Sequence, residues 1–178
     1  MFVDRCFFYI ENNRIVSQYF EIEWMEELTY AFRNTVVYAI ESNVPKKHLP
    51  ATDVTSSSQY RDIRDMNVFS VKYPKTNLNF YQYWNTVIKN IYEEADEIPG
   101  LFSYLYLNCL SADDIDATLK YNCFYDIYYN PKKKYNSVAL TLIALKLLIK
   151  QNKLDYLRDM NKFMYWYYCN VDTMLIKR

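Results

Sequence analysis

The densest apolar run of the chain lies at Ser137–Lys150. There Val138, Ala139, Leu140, Leu142, Ile143, Ala144, Leu145, Leu147, Leu148 and Ile149 put apolar side chains on nearly every face of a helix. A helix that is apolar all round belongs in the middle of a larger protein or in a membrane. At about 1.5 Å per residue this one is about 21 Å long, too short to cross a bilayer. Lys146 and Lys150 interrupt it besides. The pattern predicts a buried central helix on which other helices pack.

Around that run the periodicity changes from stretch to stretch. Cys6–Ile10 and Ile15–Phe20 flank Glu11-Asn12-Asn13-Arg14 with aromatic and β-branched residues, the pattern of a hairpin. From Glu21 to Glu41 the period is helical, with Met25, Leu28, Phe32, Val36 and Ala39 on one stripe. Glutamates 21, 23, 26 and 27 crowd its first turns, where they favour the helix dipole. Residues 42–79 read as a long loop or insertion broken by Pro45, Pro50 and Pro74. Within it Ser58–Asn67 is a short capped helix and Val68–Tyr73 an extended piece. Phe80, Trp84, Val87, Ile88, Ile91 and Ala95 stripe the next helix, which Pro99-Gly100 ends before a short one at Leu101–Leu110.

Ser111-Ala112-Asp113-Asp114 is close to a capping box, and Ile115, Leu119, Cys123 and Ile127 follow at intervals of four. Asn130-Pro131 stops that helix ahead of the central one. Last comes Lys153–Cys169 with two apolar stripes: Leu154, Leu157, Met164 and Tyr168, then Tyr156, Phe163 and Tyr167. The expected architecture is a single all-α domain over 1–178, with roughly six or seven helices about the central one and a short hairpin or extended segment at its start.

Composition removes function classes more readily than it adds them. The 178 residues balance 21 Lys and Arg against 21 Asp and Glu, so no global field draws the chain to nucleic acid or an anionic surface. Gly100 is the only glycine, which excludes phosphate-cradling loops and dinucleotide fingerprints. His48 is the only histidine; between Pro45 and Pro50 it reads as a solvated loop residue, leaving zinc and nucleophile–histidine chemistry without a centre. Neither enzyme, cofactor nor metal is expected. Cys6, Cys109, Cys123 and Cys169 are scattered, as reduced thiols in a cytosolic protein would be. The Lys132–Lys134 run reads as a solvated turn, the Glu93–Glu97 acidic cluster as helix-end solvation, and Asp113, Asp114 and Asp116 as helix-start charges. Tyr, Asn, Lys and Ile dominate, all with AT-rich codons. No signal peptide, membrane span or hydrophobic tail is visible.

The order of parts resembles the poxviral Bcl-2-like family of innate-immune signalling inhibitors. The resemblance runs through Phe7-Phe8-Tyr9-Ile10-Glu11-Asn12-Asn13-Arg14-Ile15, Met25-Glu26-Glu27-Leu28-Thr29-Tyr30, the acid-ended helix Ile88–Ala95, Asp113-Asp114-Ile115 and the central helix. It implies a Bcl-2-like bundle in the host cytoplasm that inhibits NF-κB or interferon-regulatory signalling by binding host proteins. Two other classes stand beside it: an apoptosis inhibitor that takes pro-death helices in a surface groove, and a small viral replication or structural factor touching nucleic acid. The Asn-Trp-Gly-Arg run of groove-binding members is absent, which weighs against the death-suppressor reading. The stripe Tyr156, Phe163 and Tyr167, with Tyr30 of the first helix, forms the candidate partner or homodimer interface; no membrane anchor and no nucleic acid are expected.

Overall fold

Aromatic and β-branched residues on either side of Asn12-Asn13 form a long hairpin in the computed structural model, which describes residues 1–24, 30–128 and 130–176. β1 (Phe2–Glu11) pairs antiparallel with β2 (Arg14–Glu23). Asn12 and Asn13 join them with φ of 53° and 60°, the left-handed pair that a two-residue type I′ connection requires and asparagine tolerates. Then follow α1 (Tyr30–Asn43), a 3₁₀ turn at Lys46–His48, β3 (Ala51–Asp53) and the single turn α2 (Arg61–Arg64). α3 (Phe80–Tyr83) continues through a π turn at Trp84–Ile88 into α4 (Lys89–Ile91). α5 (Leu101–Leu107) and α6 (Ala112–Leu119) lead to β4 (Cys123–Tyr125). After a 3₁₀ segment at Pro131–Asn136 come α7 (Val138–Lys150), a 3₁₀ turn at Leu154–Arg158, α8 (Met160–Tyr167), a π turn and α9 (Thr173–Ile176).

The strands form one mixed sheet in the order β2-β1-β4-β3. β4 lies antiparallel to β1, with Phe8 opposite Phe124, and parallel to β3, with Thr52 opposite Phe124. Side-chain alternation divides the interior into two layers. Cys6, Phe8 and Phe124 face α7, whose Ala139, Leu142, Ile143, Ala144, Leu145, Leu147 and Leu148 have no exposed surface. Phe7, Tyr9, Ala51, Cys123 and Tyr125 face the other way, onto Val36, Ile40 and Val44 of α1 and its end. Burial on both faces explains why Arg5–Tyr9 is buried without a break.

The all-α, Bcl-2-like expectation is therefore corrected to an α/β fold. A helix does run through the centre, but it packs on a sheet. Two segments misled the periodicity. Glu21 and Glu23 belong to β2; α1 begins only at Tyr30, and Met25 to Thr29 lie outside the described residues. Cys123 and Ile127, which continue the four-residue spacing of Ile115 and Leu119, leave the helix because α6 ends at Leu119. The Asn122 N–H then donates to the Pro50 carbonyl at 2.9 Å and hands the chain to strand pairing.

α7 starts where Ser137 predicts, its hydroxyl accepting from the Leu140 N–H at 3.1 Å. α6 has the full capping box of Ser111 and Asp114.

Candidate functional site

Residues 68–102 build an aromatic cleft where the sequence offered only a loop and a helix start. Asn79 caps α3 and exchanges hydrogen bonds with Gln82, while its amide donates to the Phe69 carbonyl at 3.1 Å. The Phe80 N–H donates to Val71 and the Tyr81 N–H to Val68, at 2.7 and 3.0 Å, so the preceding loop is laced to the helix start. These bonds hold the Phe69 and Tyr81 rings 4.8 Å apart at the surface, 57% and 48% exposed. Beneath them Phe102 packs edge to face on Phe80 and Trp84, at 5.1 and 5.4 Å, while Phe80 and Trp84 stack on each other. The cleft holds about 190 Å³, with Lys89, Lys133 and Asn136 at its polar end.

That polar end turns on Asp96. One carboxylate oxygen accepts from the Asn136 amide at 2.7 Å and the Trp84 indole at 3.1 Å; the other meets Lys89 at 3.1 Å. Burial by itself would raise the Asp96 carboxyl, but the donors Asn136, Trp84 and Lys89 together hold it below its ordinary value. Asn136 donates its amide N–H to Asp96, and its carbonyl Oδ1 is buried with no hydrogen-bond partner. The cleft thus offers aromatic faces and the charge of Lys133. A flat ring suits this set, by stacking on the aromatic faces.

A second concentration of charge sits at the carboxyl ends of the parallel strands β3 and β4. Asp53 is 3% exposed and accepts from Thr55 Oγ1 at 2.6 Å, the Thr55 N–H at 3.2 Å and Arg33 at 3.2 Å. Burial raises its carboxyl all the same, against the Thr55 and Arg33 donors. Half-buried Asp126 is pushed up to about 6, first by burial and also by Asp53, against the Tyr128 N–H and the Arg5 charge. Arg5 donates to the Ile127 carbonyl at 2.6 Å and lies 4.5 Å over the Trp24 ring. Arg33 keeps a buried Nε with no partner.

The profile of the DarT1-associated NADAR antitoxin family matches residues 54–173, about two thirds of the chain. The chain belongs to this family. Comparison with curated proteins finds no match. Membership overturns the resemblance to poxviral Bcl-2-like proteins and removes the basis for host-signalling and death-suppressing functions and for host partners. Every cleft residue named above falls inside the span matched by the NADAR antitoxin family; of the strand-end group, Arg5, Trp24, Arg33 and Asp53 fall outside it.

The stripe expected to face a partner is the packing face of α8. Phe163 and Tyr167 have no exposed surface: Phe163 lies 5.5 Å from the Tyr104 ring and Tyr167 packs against Gly100. Tyr156 is half-buried in the 3₁₀ turn before α8, and Tyr30 is the first residue of α1, its side chain outside the described residues. His48, expected in solvent, is 9% exposed and stacks on Tyr9 at 3.9 Å. Lys132 and Lys133 are exposed, as a solvated turn requires, though Lys133 also borders the cleft. Among the described residues no group of His, Cys, Asp and Glu is placed to hold a metal, and no helix is long and apolar enough to cross a membrane. Cys109, Cys123 and Cys169 are free thiols.

The cleft was out of reach of the sequence because its walls come from four segments that no periodicity links. Phe69 and Tyr81 show no local signal beyond being aromatic.

Proposed function

We propose that this protein is an antitoxin that counteracts a DarT1 toxin, and that it works by engaging a flat ring of the nucleobase kind in the Phe69–Tyr81 cleft. The observation that carries this reading is the coincidence of the cleft with the span matched by the antitoxin family. Two exposed rings fixed by backbone hydrogen bonds, above a floor of three more, support a binding role over a packing one. The reading requires no bond to be made or broken by the protein itself.

Growth of bacteria carrying an inducible DarT1 toxin tests it. Co-expressed wild type is expected to restore growth, and a Phe69→Ala/Tyr81→Ala double variant to lose rescue while melting at an unchanged temperature, since both rings are largely exposed. Full rescue by the folded double variant would remove the cleft from the function, and no rescue by wild type would remove the antitoxin reading.

A second reading has its own observation. Asp126, pushed up to about 6, near the second carboxyl of Asp53 held by Arg33 and Thr55, makes a candidate general acid in a carboxyl pair of the kind used to cleave glycosidic bonds. On this reading the antitoxin undoes the toxin's product hydrolytically. Rescue lost in Asp126→Asn but kept in the cleft variant favours it.

A further inference from the structure

At the end of α7 away from the cleft lies a groove of about 440 Å³ between the end of β1, the Lys46–His48 turn and Asn122. Lys47, Lys146 and Lys150 line it over an apolar floor that includes Ile10 and Ile149. Lys146 and Lys150 are one helical turn apart on α7, so they share a face, and like charges so placed repel. Lys150 stands in the last turn, where the helix dipole favours a cation and no ligand is needed to account for it.

Lys146 is different. It is half-buried, and its ammonium donates to the Tyr121 carbonyl and lies 3.5 Å from Asn122 Oδ1, both neutral acceptors. Capping the end of α6 in this way occupies two of its three donors. Among the described residues no carboxylate pairs with it, and burial lowers its pKa accordingly. Among the described residues lining the groove none is an acid, and nearby Glu11 is already taken by Lys47, with His48 Nε2 3.7 Å away. A partly desolvated cation with a free donor, between two further lysines and short of counter-charge, is a site built for an anion.

We propose that this groove binds a dianionic phosphoryl group, held by Lys146 and Lys150, with the Glu11-paired Lys47 at its rim. Two positive charges in excess over Glu11 match a dianion better than a carboxylate, and the groove is wide enough for a group larger than the phosphate alone. The site is separate from the aromatic cleft and stands whether or not the ring-binding reading does.

Isothermal titration of the full-length protein with inorganic phosphate, and separately with ethyl phosphate, at constant chloride, tests it. Saturable binding is expected for at least one of them; tighter binding of the ester identifies a phosphorylated molecule as the occupant, tighter binding of free phosphate the ion itself. Lys47→Gln/Lys150→Gln, both exposed, is expected to weaken binding by about tenfold or more without changing the melting temperature. Lys146→Met is expected to abolish it. Absence of saturable binding of either probe to wild type, or equal binding by the folded double variant, overturns the proposal.

Discussion

Gly100 is where a single residue most plainly decides local structure. It starts α5 at φ +86°, and a Cβ there would stand 3.0 Å from Tyr167 Cγ and 3.2 Å from Met164 Sδ. Both the left-handed backbone and the close approach of α8 exclude a side chain. Gly100→Ala is expected to destabilise the fold by about 1–3 kcal/mol in chemical denaturation, and an unchanged midpoint would contradict the packing described. Asp126 makes a residue-scale prediction of another kind. Its folded pKa of about 6 lies above its ordinary 3.8, so the folded protein holds the proton more tightly than the unfolded chain. That contribution to stability is complete below about pH 4, falls as pH rises and is gone above about pH 6. Asp126→Asn lacks the titration. Its melting temperature should therefore gain on that of wild type between about pH 4 and about pH 6 and run parallel above; curves parallel throughout would refute the assignment. The sole glycine was legible as punctuation in the sequence. The buried aspartates were not, because nothing local marks Asp53 or Asp126 as sharing a sheet end.

At the scale of elements, α7 was readable because ten apolar residues in thirteen leave a helix no exposed face, and the structure buries all of it but its two lysines and Ile149. The hairpin was readable from its turn. β3 and β4 were not: at three residues each they are too short for alternation to register, and their parallel pairing joins segments that the whole run from Val54 to Asn122 separates. α8 teaches a different lesson. Two stripes on one helix signalled a surplus face: Phe163 and Tyr167 pack at the start and side of α5, whereas Leu154 and Tyr168 of the other stripe are exposed. The turn of the hairpin is the element whose chemistry is easiest to test. Asn13 at φ 60° tolerates the left-handed region; glycine is freer there and a β-branched residue is strained. Asn13→Gly should leave thermal stability equal or raised, and Asn13→Val should lower it by about 1–2 kcal/mol. The reverse order in melting temperature would show that Asn12-Asn13 does not set the register.

The whole molecule is held together across a boundary that family matching does not respect. The span shared with the NADAR antitoxins begins at Val54, after β1, β2, α1 and β3. Yet β1 is an inner strand: it lies between β2 and β4, and its Cys6, Phe7 and Phe8 are at most 1% exposed, divided between the two core layers. Without residues 1–53, one face of α7 would lose Phe8, and β4 would lose both neighbours, leaving Phe124 and Tyr125 unpaired and in water. Three residues of lone strand cannot persist alone. Aromatic side chains of this size are worth about 3–5 kcal/mol each when removed from a core, and three such losses together with the missing β1 contacts exceed the stability of a typical domain. A fragment spanning 54–173 is therefore expected to show no cooperative thermal transition by circular dichroism, while the full chain melts in one step. The expectation is specific to the sheet order. Were β1 an edge strand laid over a finished domain, the fragment would melt cooperatively at a lower temperature, and that outcome would place the core elsewhere.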